Sequence, residues 1–124
     1  MENPVMEIQK ILQVGNFDWL NKLYTNYLPT KAQSDTSQTI GLIIPYKDAP
    51  DRYGNDTFNA IKNGIRLTIF YKLGFKGSMT QINIDVMQLM IKNHWRIADS
   101  KSIYPDPDTK QSIKVFYLEK INHI

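Results

Sequence analysis

Cysteine is absent from the 124 residues, which excludes disulfides, thiolate nucleophiles and Cys-ligated metals. Intracellular assembly is therefore permitted. Long apolar runs are missing as well, since none approaches the ~18–20 residues that span a bilayer. Glu2 and Glu7 stand where a secretory signal would place a basic patch and then an apolar stretch. Arginine is scarce: Arg52, Arg66 and Arg96 lie in three separate segments. The two histidines, His94 and His123, belong to neither an H-x-x-x-H nor an H-E-x-x-H pattern. The aspartates at 48, 51 and 56, and at 106 and 108, lack the spacing and the glutamate of a calcium loop, and turn chemistry accounts for them. No nucleophile elbow, dinucleotide fingerprint or P-loop occurs. The chain is therefore expected to be non-enzymatic, with no cofactor and no metal.

What is present suits one globular domain over residues 1–124: 14.4 kDa, 42% hydrophobic and 11% aromatic. The net charge of +3 is unevenly spread. Up to residue 62 there are six basic and seven acidic groups, and after it nine and five. Dedicated nucleic-acid binders cluster Lys and Arg more tightly. The charge reads as a solvated surface.

Asn3-Pro4 predicts a helix start, with Asn as cap and Pro in the first turn. Val5, Ile8, Ile11 and Leu12 recur at helical spacing up to Gly15. Residues 17–28 fit a helix through Leu20, Leu23, Tyr24, Tyr27 and Leu28. The aromatic-rich Leu23–Leu28 stretch also suits a short strand ending at Pro29, the reading adopted. Residues 30–38 are polar and aperiodic, a loop. Thr39–Ile44 is a β-branched run closed by Pro45, a strand buried on both faces. Residues 46–58 hold Pro50, Gly54 and several Asx residues and read as a long loop, a class more often functional than idle. Alternation from Ile65 to Phe75 marks the clearest strand. Ser78 and Gln81 have the capping-box form and open a helix running to about Asn93. Period two resumes from Trp95 to Ser100. Tyr104–Gln111 is a hairpin loop in which two prolines forbid ladder donation, and Ile113 to Ile121 form the last strand. The order predicts an α+β two-layer domain: a mainly antiparallel four- to five-stranded sheet packed with two main helices.

The second helix exceeds an ordinary amphipathic pattern. Placing Ile82 at zero and advancing ~100° per residue puts Met79, Val86, Leu89 and Met90 within roughly −20° to 80°. Ile84, Met87 and Ile91 fall at roughly 140° to 200°, on the far side. A small two-layer domain buries only one face of such a helix, so this second stripe needs a cover, either the first helix or another subunit. Burying each side chain is worth roughly 1.5–3 kcal/mol. The stripe is the first candidate interface. Arg52, Tyr53 and Phe58 of the long segment are the second, because Tyr and Arg are favoured anchors. The hairpin tip carrying Asp106 and Asp108 is a third.

Three stretches together resemble a small family of siphophage proteins from Gram-positive hosts, encoded among head–tail joining and tail genes. They are Asp48-Ala-Pro-Asp-Arg-Tyr-Gly-Asn-Asp leading into Phe58, then His94-Trp-Arg-Ile, and Pro105-Asp-Pro-Asp-Thr followed by Lys114-Val-Phe-Tyr. The element order is also similar to that of tail terminator (tail-to-head joining) proteins. That resemblance implies a sheet flanked by helices and a homohexameric ring that caps the tail tube. The ring would stop tube polymerisation, meet the tube protein on one side and the head connector on the other, and pass DNA through its lumen without sequence-specific binding. It implies a place in the virion tail or neck, after assembly in the host cytoplasm, and no membrane. It supplies no active-site residues.

Other readings make different demands. Another neck component, a head-completion or stopper protein, would share the same surfaces. A nucleic-acid-binding domain would set Lys72, Lys76, Lys101, Lys110 and Lys114 on phosphates, with a steep negative salt slope. A hydrolase would need a deep pocket and metal dependence, which nothing in the sequence signals.

Overall fold

Asn3 starts the first helix as expected: its side chain accepts the Val5 N–H at 2.9 Å, and Pro4 occupies the first turn. A computed structural model of the chain describes residues 3–54 and 57–124. Its elements are α1 (Pro4–Gly15), β1 (Lys22–Thr25), α2 (Thr30–Gln33), β2 (Ile40–Gly54), β3 (Thr57–Phe70), α3 (Met79–Lys92), β4 (Arg96–Ser100), β5 (Tyr104–Pro105) and β6 (Ser112–His123). The fold is the expected α+β type, with six strands in one sheet rather than four or five. The sheet runs β1-β2-β3-β6-β4, with β5 also paired to β6. All pairings are antiparallel except β1 with β2, which is parallel and links Lys22–Thr25 to Ile40–Ile43.

Alternation divides the sheet into two faces. Ile65, Leu67 and Ile69 of β3, Ile43 of β2, and Phe116 and Leu118 of β6 share the face covered by α1 and α3. Val5, Ile8 and Leu12 of α1 and Ile82, Val86 and Met90 of α3 complete this core with Tyr71 and Trp95. Trp95 donates its indole N–H to Glu7 Oε1 at 3.1 Å, and Lys120 Nζ reaches the same oxygen at 2.5 Å. One carboxylate thus ties α1 to β6 and to the residue that precedes β4.

The segment expected as a long loop is a β-hairpin instead. β2 continues through Pro45 and Pro50 to Gly54, and β3 returns from Thr57, with Tyr53 opposite Phe58. The prolines survive because β1 pairs β2 only as far as Ile43. Beyond that point β2 is an edge strand, and each proline turns its missing donor outward. The register shifts by one residue between Pro45 and Lys47, a bulge that carries Tyr46. The expected strand ending at Phe75 stops at Phe70. Tyr71 is buried, but Leu73 is exposed and Gly74 takes φ 71°, so the last alternating positions belong to a turn. α2 occupies part of the expected 30–38 loop. Ile40–Ile43 are buried, as read for a two-sided strand.

Candidate assembly surfaces

Ser78 caps α3 by accepting the Gln81 N–H at 3.2 Å. Among the described residues no bond runs from the Ser78 N–H back to the Gln81 side chain, whose amide N–H donates to Asp85 Oδ1 at 2.8 Å. Ile82, Val86 and Met90 face the core, and Met79 and Leu89 pack against it. A Cβ at Gly15 would lie 2.8 Å from Leu89 Cδ2, so the end of α1 closes on that flank of α3. The far stripe divides. Met87 is half-buried against the core, so intramolecular cover accounts for part of it. Ile84 and Ile91 remain 39% and 59% exposed.

The hairpin end forms the second surface. Arg52 takes φ 53°, its guanidinium Nη1 lies 3.0 Å from His123 Nε2, and its Nε lies 3.9 Å from Asp51. Tyr53 is 74% exposed and Phe58 is 38% exposed. The register puts these two on the sheet face away from α1 and α3, together with Ile121 and the ring of Tyr46. All four are exposed aromatic or aliphatic groups. Asn55 and Asp56 of this segment lie outside the described residues.

Between the hairpin end and the sheet centre sits a polar knot. Glu119 accepts the Tyr46 hydroxyl at 2.9 Å, pairs with Lys47 at 3.5 Å and is hydrogen-bonded by Arg96. Burial pushes the Glu119 carboxyl up, but the Tyr46 hydroxyl, Lys47 and Arg96 outweigh it and hold it below its usual value. Burial, then the hydrogen bond to Glu119, raises the Tyr46 hydroxyl to about 12, so it stays a donor. The Tyr46 ring meets Tyr117 edge-on at 5.1 Å and lies over Gly64. Nothing in the sequence announced this knot, because Tyr46 and Glu119 are 73 residues apart.

At the other end of the sheet, Asp106 is used by its own turn. Its carboxylate accepts the N–H groups of Asp108 at 2.8 Å and Thr109 at 3.3 Å. Asp108 is exposed and its side chain is uncommitted. The five lysines of the nucleic-acid reading do not form one stripe. Lys114 is buried, where it donates to Ser100 Oγ at 2.8 Å and to the Lys101 carbonyl and lies over the Phe116 ring. Lys101 pairs with Asp99 at 2.7 Å. Among the described residues no three His, Asp or Glu side chains gather as a metal site requires, and no helix is long and apolar enough to cross a membrane.

Comparison with curated proteins finds no match. A family model described as "Protein of unknown function (DUF806)" matches residues 2–123, nearly the whole length, and the chain belongs to that family.

Proposed function

We propose that this protein is a structural subunit of a siphophage-type tail: a terminator that self-associates into a ring, caps the tail tube and offers a surface for head attachment. The observation that carries the reading is the pair of unlike exposed apolar surfaces. Ile84 and Ile91 lie on the helix layer, whereas Tyr53, Phe58 and Ile121 lie on the opposite face of the sheet. An isologous dimer needs one self-complementary patch, whereas a ring presents unlike surfaces to its neighbours, and exposed apolar groups on both layers supply them. The likeness of the 48–56, 94–97, 105–109 and 114–117 stretches to siphophage joining proteins supports the same reading.

Light scattering on the free protein and on purified tail tubes tests it. The expected species is a ring of six 14.4 kDa protomers, free or tube-bound. A monomer in both settings refutes it. Ile84→Lys and Ile91→Lys should each abolish the ring while leaving the thermal midpoint within a few degrees, since both side chains already meet water. Particles lacking the protein should carry abnormally long or headless tails. DNA-leaking heads on normal tails would refute termination and favour a stopper.

A further inference from the structure

A cavity of about 500 Å³ opens at the end of the sheet remote from the hairpin end. Leu28, Ile40 and Phe70 give it an apolar floor, and Asp35, Asp106 and Asp108 give it a carboxylate rim. Ile40 and Phe70 are cross-strand partners on the face away from α1 and α3. Asp35 accepts the N–H and hydroxyl of Ser37, and Asp106 accepts two backbone N–H groups of its turn. No Lys or Arg of the described residues forms an ion pair with any of the three. Lys31 acts on Asp35 only as a weaker, longer-range pull. Three carboxylates around a greasy floor match a cation carried on an apolar neighbour.

This chain displays such a group. Ile91 and Lys92 end α3, both are exposed, and among the described residues Lys92 has no ion-pair partner. α3 lies on one face of the sheet and the cavity opens on the other, so no chain can seat its own α3 there. We propose that the cavity receives the Ile91–Lys92 end of α3 from a second copy of this chain, with the neighbour's Ile91 on the Leu28–Ile40–Phe70 floor and its Lys92 among the rim carboxylates. The contact is heterologous by construction, as ring closure requires. It rests on the self-assembly reading above and seats α3 in this cavity, leaving the Tyr53–Phe58–Ile121 surface for contacts other than α3.

Charge exchange tests it on the full chain. Asp108 is the rim group to change, because Asp35 and Asp106 hold their own turns. Asp108→Lys and Lys92→Asp should each raise the dissociation constant for assembly at least about tenfold, and the double variant should return it to within about threefold. Sedimentation at low and high salt reads this, and thermal unfolding confirms that each variant folds. Should a reversal fail to fold, Asp108→Asn and Lys92→Gln replace the pair, and each must flatten the salt dependence of assembly. Single reversals without effect overturn the proposal. So does a loss on Asp108→Lys that Lys92→Asp does not repair, because the cation then comes from another protein. Wild-type protein that assembles normally while the swap fails sinks this contact alone. Wild-type protein monomeric both free and on tubes sinks the ring and the contact together.

Discussion

Adding a single methyl group at Gly64 tests whether the polar knot on the bare sheet face is held by shape. A Cβ at this position would lie 2.7 Å from two Tyr46 ring carbons and 2.8 Å from Lys47 Cβ. Neither neighbour yields easily. The Tyr46 ring is pinned by its hydroxyl on Glu119 and by its edge contact with Tyr117, and Lys47 Cβ moves only with its backbone. Overpacking of this kind costs about 1–3 kcal/mol, and the lower unfolded-chain entropy of alanine returns about 0.4–1 kcal/mol. Gly64→Ala should therefore lose ~1–2 kcal/mol in urea unfolding at unchanged slope. In the Tyr46→Ala background the same substitution should cost less, because the ring it strikes is gone and only the clash with Lys47 Cβ remains. A Gly64→Ala protein as stable as wild type, or a penalty undiminished by Tyr46→Ala, would refute the reasoning.

The remaining predictions concern two carboxylates. Glu119 sits below its ordinary pKa in the fold, so its stabilisation is complete above the ordinary value of about 4.3 and disappears as pH falls through the lower folded value. Glu119→Gln should flatten the stability loss over that acid window, and an unchanged pH slope would show that other groups dominate it. Glu7→Ala should cost about 1–3 kcal/mol, since it leaves the buried Trp95 indole N–H and the Lys120 ammonium without their shared acceptor. Equal stability of Glu7→Ala and wild type in urea would contradict that role.

Signals confined to a few neighbouring residues were legible. Asn3 and Ser78 cap the helices they were read to cap, Val5, Ile8, Ile11 and Leu12 are buried along α1, and the hairpin loop lies within the stretch read for it, although Tyr104 and Pro105 at its start pair with β6. Signals whose meaning depends on topology were not. Pro45, Pro50 and the Asx residues of 46–56 read as loop formers because the sequence does not reveal that β2 has lost its outer neighbour there. Alternation continued into Leu73 although the strand ends at Phe70, since period two has no stop signal of its own. On α3 the wheel separated the core face correctly, yet it could not show that Met87 leans back onto the core while Ile84 and Ile91 do not. The Glu119 knot and the acid-rimmed cavity join residues from distant segments, beyond the reach of any local pattern.

The outer margin of β2 bears on how copies would meet in the proposed ring. From Pro45 onward that margin presents two ring-closed nitrogens, a bulge and the charged pair Lys47-Asp48. At the opposite margin, β4 is five residues long and is itself broken by a bulge between Ile97 and Asp99. Margins of that kind refuse an incoming ribbon, which guards against fibrous stacking. In the ring proposed above, neighbouring copies would therefore meet through side chains laid face on face, with no sheet continuing into the next.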